Sequence, residues 1–371
     1  PLSLRRQRQM CIRDRHKCSL ECKSKGEVMS RIITQIAPDS LINAKGQPHF
    51  GHFDGIVSRL GLADFAYFDT MDKPASAWAK RFDYKQFQFI SIVTPRYIIG
   101  VALADIAYLG SGFCYLYDVK NNRLTQQDWL KPLGFGYRMT PSPANGTATI
   151  GGKGKRITFK IQEGSWHLVI DTKSIKADLT LHALPLSLPM AMCSPTGYNG
   201  WTYTQKHNGL SVKGQLTVDH EPQPLNFALA GYDFSAGFMR RDTSWRWASL
   251  SAQIDDGVIG LNLAAGVNET GANENVFWIN GERHLLGPVQ FEFDRHGHQG
   301  TDLWRIHSHD GRVDLEFTAR NCRSEKRNFI LLKSNFRQYL GLFSGFIIDN
   351  QGRKFQLNNV LGLTEDHYAR W

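Results

Sequence analysis

Ile157-Thr158-Phe159-Lys160-Ile161-Gln162-Glu163, Trp166-His167-Leu168-Val169-Ile170-Asp171-Thr172 and Ala177-Asp178-Leu179-Thr180-Leu181-His182-Ala183-Leu184 follow one another with little between them. Apolar and polar residues alternate in each run, which sends successive side chains to opposite faces, the pattern of a half-buried strand. The separators Glu163-Gly164-Ser165 and Lys173-Ser174 are of hairpin length. A three-stranded meander is therefore expected. The same pattern returns in Val289–Arg295, Asp302–Ser308 and Arg312–Arg320, with turns at residues 296–300 and at Asp310-Gly311, the latter a type I′ signal.

Working outward, strand signals run from about residue 85 to the C-terminus. Tyr97–Tyr117 has 21 residues and one formal charge, Asp105, which is long enough for a membrane span. Its Gly110-Ser111-Gly112 is turn chemistry, so two buried strands are expected instead and no membrane span. Helical periodicity is confined to Thr70–Arg81, with a single turn expected at Trp129–Leu133. Without βαβ alternation a parallel-sheet enzyme is disfavoured. The fold class expected is all-β, with antiparallel barrels or sandwiches. Pro185, Pro189 and Pro195 place a boundary in Leu184–Tyr198, dividing the chain into halves 29–190 and 191–371.

The chain has 371 residues, 42% hydrophobic and 21% charged, which is globular composition and excludes wholesale disorder, collagen and coiled coil. Its net charge of +10 is concentrated at one end. Residues 1–28 hold eight Lys/Arg against Asp14, Glu21 and Glu27, a net +5, so the other 343 residues carry only +5. That excess is too mild to point to nucleic acid. Ser3–Arg15 resembles translated sequencing-adapter DNA and lacks an apolar signal-peptide core; Met29 is the expected start, and 1–28 an extension outside the fold. Beyond it, Cys114, Cys193 and Cys322 are widely spaced, with no CxxC pair. Neither a disulfide framework nor a zinc site is expected, and a reducing, cytoplasmic location is.

Familiar catalytic motifs are absent. There is no GxSxG elbow, P-loop or dinucleotide-binding GxGxxG, and Gly151-Gly152-Lys153-Gly154-Lys155 reads as a hairpin tip. His296/His298 and His307/His309 are H-x-H pairs, but they lie at opposite ends of one strand, roughly 25–30 Å apart at about 3.3 Å per residue. They cannot share a metal, and neither metal nor cofactor is expected.

Three polar-aromatic stretches look functional. In Gly197–Lys206, read as a strand, Tyr198, Gly200, Thr202, Thr204 and Lys206 share one face, while Asn199, Trp201, Tyr203 and Gln205 share the other. The second stretch is Asp233–Gly237, continuing to Arg240, Thr243, Trp245 and Trp247. The third is Gly260-Leu261-Asn262-Leu263 with Glu274-Asn275-Val276-Phe277-Trp278-Ile279-Asn280-Gly281.

Taken in order, Asp-x-Ser-x-Gly, Thr-x-Trp-x-Trp-Ala, Gly-x-Asn-Leu and Glu-Asn-x-x-Trp-x-x-Gly resemble the bacterial domain of unknown function 2804 family. Trp78–Tyr84 and Ala104–Gly110 fit the same family. The resemblance runs from about Leu41 to Trp371. It implies a calycin-like, lipocalin-related structure of two barrel-like halves, similar to hydroxyneurosporene synthase and tocopherol cyclase, whose relatives bind apolar molecules. It carries over no activity. Asn280 departs from the acidic residue expected before the glycine.

The function expected is binding of a lipophilic small molecule in a β-barrel pocket. Trp201, Tyr203, Trp245, Trp247 and Trp278 are candidates for its lining, with Asn199, Arg240, Asn262 and Asn275 as polar contacts. Asp233, Glu274 and Lys206 are the candidates for proton transfer in the alternative, an enzyme of hydratase, cyclase or isomerase type, since burial raises a carboxylate pKa. A non-catalytic interaction module is the further alternative, in which the same aromatics are simply core.

Overall fold

The computed structural model describes residues 32–268, 271–295, 303–329 and 332–371. The meander forms as its alternation predicts. Strands Lys155–Gln162, Ser165–Asp171 and Ile175–His182 pair so that Ile161, Trp166 and Leu181 stand side by side, as do Phe159, Leu168 and Leu179. All six are buried. Glu163 (φ 49°) and Gly164 (φ 77°) both take left-handed conformations, the geometry of a two-residue type I′ hairpin.

These strands belong to the first of two antiparallel sheets, a nearly closed barrel. Its main path runs Arg123–Pro132, Leu109–Asp118, Tyr97–Asp105, Tyr84–Val93, Leu229–Phe238, Gly200–Val218, the meander reversed, Gly146–Gly152 and Tyr137–Arg138. The two ends approach where the Trp129 indole N–H donates to the Lys155 carbonyl at 3.0 Å. A core of Ile90, Val101, Phe159, Trp166, Trp201 and Phe234 fills the interior. The second sheet, a half-barrel, runs Glu282–Leu285, Val276–Ile279, Gly257–Ala265, Asp242–Ile254, Lys354–Arg370, Lys333–Ile348, Val313–Asn328, Leu303–Ser308 and Val289–Phe293. Leu261, Phe277, Trp304 and Phe343 lie in a core of its own.

Two bulges decide which residues face which core. The pairing of Gly200–Val218 with Leu229–Phe238 shifts between His207 and Leu210. An extra residue reverses the parity of a strand, so Trp201 and Tyr203 before the bulge and Leu210 and Val212 after it all point into the barrel. A second shift between Ala319 and Asn321 does the same in the half-barrel: Leu315 and Phe317 face its core, whereas Arg323 faces the barrel.

Several expectations need correction. Trp129–Leu133 is not a helical turn, because Trp129 lies within the strand Arg123–Pro132. The helix is Ala77–Asp83, shorter than Thr70–Arg81, and Ser76 caps it by accepting the Ala79 N–H at 3.1 Å. The turn in Tyr97–Tyr117 falls at residues 106–108, not at Gly110-Ser111-Gly112. Gly110 and Gly112 are strand residues whose missing Cβ leaves room for the Tyr137 ring and Ile150. At Asp310-Gly311 only Gly311 is left-handed (φ 69°), so the turn is not type I′. The sheets change over at residues 239–241, whereas Leu184–Tyr198 lies inside the first sheet. Pro185 and Pro189 lie in the loop before Met190–Thr196, a strand that pairs with Gly200–Val218 and contains Pro195 opposite Trp201. His296 and His298 and the expected 1–28 extension fall outside the described residues. Among those residues no helix is long and apolar enough to cross a membrane.

Candidate functional site

Strand register builds one wall of a cavity between the sheets. Lys206, Asp233, Phe89, Ala102, Phe113 and Asp128 are successive neighbours across the outer face of the barrel. The next row is Thr204, Ser235, Phe87, Ala104 and Ser111. The half-barrel supplies the opposite wall with Trp247, Glu365, Gln338 and Arg323, then Trp245, His367, Phe336 and Glu325. Phe89 meets Trp247 edge-on at 5.8 Å, and Phe113 meets Phe336 at 5.8 Å. The space left between the walls is about 230 Å³.

Both ends of the first row are charged. Asp233 and Asp128 are four strand spacings apart, about 19 Å at roughly 4.8 Å per strand. At one end the Lys206 ammonium bonds Asp233 and lies 3.4 Å from Glu274 Oε1, and all three side chains are buried. Asp233 also accepts from the Ser235 hydroxyl at 2.9 Å. Burial disfavours the Lys206 ammonium, but the two carboxylates outweigh it and hold the group above its usual pKa. Burial pushes Glu274 up, and neighbouring Asp233 adds to the rise against the pull of Lys206 and Thr204. Desolvation thus favours the protonated form of Glu274 more than in a free glutamate.

At the other end Arg323 reaches across from the half-barrel. Its Nη2 donates to Asp128 Oδ1 at 2.6 Å and Glu325 Oε2 at 3.2 Å, and its guanidinium lies 4.0 Å from the Phe113 ring and 5.0 Å from Phe336. Between the ends, Tyr115 donates to Gln338 at 2.7 Å, and Gln338 to Glu365 at 2.9 Å. Glu365 also accepts from the Trp245 indole at 2.8 Å. A hydrogen-bonded seam thus closes the floor of an otherwise aromatic cavity.

Of the residues expected to form a site, Lys206, Asp233, Glu274, Arg240, Trp245 and Trp247 line this space together. Asn262 and Asn275 stand behind it. Asn262 accepts from the Trp247 indole at 2.7 Å and donates to the Glu274 carbonyl at 2.8 Å, while Asn275 accepts from Ala264 N at 2.7 Å and donates to the Gly287 carbonyl at 3.0 Å. They satisfy backbone groups and thereby position Glu274 and Trp247. Trp201 and Tyr203 face the barrel core, Trp278 is buried with its indole donating to the Leu188 carbonyl, and Asn199 holds the exposed loop at Phe68 and Asp69. None of these four lines the cavity. Asn280 is a turn residue, left-handed at φ 49°, with its side chain accepting from Val258 N and donating to the Asp256 carbonyl. Its turn role explains the amide.

Phe87, Phe89, Phe113, Arg323, Phe336, Gln338 and Glu365 line the cavity and were not anticipated. The polar run Thr364–His367 within a strand was the available signal, since half of those residues had to meet something other than water. For a metal, no cluster of three His, Cys, Asp or Glu is suitably placed among the described residues, and His307 stands 3.9 Å from Glu292 on the surface.

Next to Lys206, on the face turned away from the cavity, His207 is buried against Trp278 and shares a hydrogen bond with Ser187 Oγ at 2.8 Å. Burial, aided by the Arg283 charge, lowers its pKa to about 3. A base depressed in the fold binds its proton only in the unfolded chain as pH falls below 6.5, so its stability contribution is present above 6.5 and lost below. We expect about 2 kcal/mol to be lost between pH 8 and pH 5 through this group. Denaturant titrations of the protein and His207→Asn should diverge in slope over that range, with the wild type the steeper. Parallel curves would show that His207 is hydrated.

The fold is similar to two solved structures at low identity. An AttH-like protein from Nitrosomonas europaea matches with 13% identity and a TM-score of 0.46, over 76% of this chain and 91% of its own. Kievitone hydratase from Nectria haematococca matches with 12% identity and a TM-score of 0.46, over 77% and 88%. No curated protein matches the sequence. The family model for the domain of unknown function DUF2804 matches residues 32–371, and the chain belongs to that family.

Proposed function

We propose that the protein binds an elongated, mostly apolar small molecule in the cavity between its sheets, with a polar group of the ligand set against Lys206, Asp233 and Glu274. The observation that carries this is the make-up of the walls. Phe87, Phe89, Phe113, Trp245, Trp247 and Phe336 surround a space with the ion pairs Lys206–Asp233 and Arg323–Asp128 at its two ends. An apolar ligand body gains by leaving water there, at roughly 25 cal/mol per Å² buried, while a few fixed polar groups set its direction.

Acid–base chemistry on the bound molecule is the second reading, and the raised pKa of buried Glu274 favours it. In that role Glu274 donates a proton to the ligand's polar end, and Asp233, hydrogen-bonded to Ser235 and Lys206, lies beside the charge that develops.

The test is native mass spectrometry of the full chain with organic extraction, followed by titration with a fluorescent long-chain alcohol read through Trp245 and Trp247. A co-purifying lipophile, or micromolar binding abolished by Ala104→Trp on the cavity wall, is expected. No binding by a folded wild type would overturn the proposal. Glu274→Gln separates the two readings: binding kept and turnover of the extracted molecule lost assigns catalysis, while both unchanged leaves a carrier.

A further inference from the structure

The open end of the cavity carries a feature that ligand binding alone does not require. Past the row of Thr204 and Phe87 the lining continues through Lys85, Ile106, Leu109, Met239, Arg240 and Trp371, where both sheets end in loops. Large apolar side chains stand in water on the short helix and the loop at this end. Trp78 is 72% exposed, Leu133 64% and Phe135 74%. Trp78 stacks on Phe82 at 5.9 Å across the short helix Ala77–Asp83, so its exposure is a fixed presentation. The loop with Leu133 and Phe135 is tied to the cavity rim by the hydrogen bond from Leu133 N to the Tyr108 carbonyl at 3.0 Å. The helix is tied to the same end by Lys80, whose ammonium donates to the Phe65 carbonyl at 2.6 Å, and by Tyr84, which begins the strand that enters the cavity wall.

Bases accompany these apolar tips. Arg81 and Arg138 are exposed on the helix and beyond the 133–136 loop, and Arg241 is exposed on the connection between the sheets. A rim of protruding Trp, Leu and Phe mixed with Arg is the composition of a surface that enters the headgroup region of an anionic bilayer, where indole and phenyl rings bury and guanidinium groups meet phosphate. Exposed aromatics in such a cluster are otherwise a solubility liability.

We infer that this end of the protein, through Trp78, Leu133 and Phe135 with Arg81, Arg138 and Arg241, docks reversibly on an anionic lipid surface, which sets the cavity mouth against the bilayer. The inference takes its purpose from the proposed lipophilic ligand, which would then pass between bilayer and cavity without crossing water. Docking itself does not depend on the cavity being able to hold that ligand.

Sedimentation of the full chain with vesicles of phosphatidylcholine alone, or with phosphatidylglycerol at 30 mol%, tests it. Binding to the anionic vesicles is expected, at least tenfold stronger than to the neutral ones and weakened by 0.5 M salt. Trp78→Ser/Phe135→Ser should lower that partitioning at least tenfold while keeping its melting temperature and the alcohol-probe affinity. Ala104→Trp should do the reverse, losing the probe and keeping the vesicles. No sedimentation with anionic vesicles, or equal sedimentation of the double variant, overturns the docking surface whatever the probe does. A wild type that sediments with anionic vesicles but binds no probe overturns the cavity reading alone.

Discussion

Lys206→Met should destabilise the protein by about 3–5 kcal/mol, the usual cost of stripping the partner from a buried charge. The lysine stands between Asp233 and Glu274 on the cavity wall with all three side chains buried, and among the described residues its ammonium is the only cation bonded to either. Methionine fills the same volume, so packing loss contributes little and the penalty is that of leaving two carboxylates buried side by side. Those carboxylates should then take up protons, raising their folded-state pKa. A raised carboxylate gives stability that is present at low pH and lost as pH rises through the shifted value, so the deficit should shrink toward pH 4 and be fully developed at pH 8. Adding Asp233→Asn and Glu274→Gln to Lys206→Met should recover more than half of the loss at pH 8. Denaturation followed by tryptophan fluorescence gives these numbers. A deficit under 1 kcal/mol at pH 8 would mean that water reaches the carboxylates and that the site is open rather than desolvated.

Lys206 also shows how far the sequence could be read. Alternation in Gly197–Lys206 put Thr202, Thr204 and Lys206 on one face and Trp201 and Tyr203 on the other, and the structure keeps that division. Grouping Trp201 and Tyr203 with Lys206 in one site contradicted the alternation itself, because a strand cannot aim adjacent residues into one pocket. The polar face of that strand was the functional one, and its aromatics were core. Local turn chemistry was legible at Glu163-Gly164, whereas Asn280-Gly281, where both residues take positive φ, was read as part of a functional stretch and is a turn. What alternation could not reveal were the bulges at His207–Leu210 and Ala319–Asn321, each of which swaps the faces of a strand midway. Nor could it bring Lys354–Arg370 and Lys333–Ile348 against the barrel, since that contact depends on how two sheets pack. The second wall, with Arg323, Gln338 and Glu365, was therefore invisible, although Trp245 and Trp247 were picked out.

Arg323 is where that missing information concentrates, and Arg323→Leu should cost about 3–5 kcal/mol. The residue reaches the barrel only because the preceding bulge turns it away from the core that holds Phe317. Once there, it is fully buried, bridges Asp128 on the edge strand of the barrel and Glu325 on its own strand, and is sandwiched by Phe113 and Phe336. Leucine would leave Asp128 and Glu325 facing each other with Arg327 as their remaining cation, bonded to Glu325. It would also forfeit the stacking of a planar cation on two rings, a contact worth about 2 kcal/mol when desolvated. Arg323→Lys should recover less than half of the loss, because an ammonium reaches one carboxylate and cannot lie flat between rings. The double variant Asp128→Asn/Arg323→Leu should be more stable than Arg323→Leu alone, since the uncompensated charge has gone. Equal stability of the arginine and lysine proteins would show that only charge matters there.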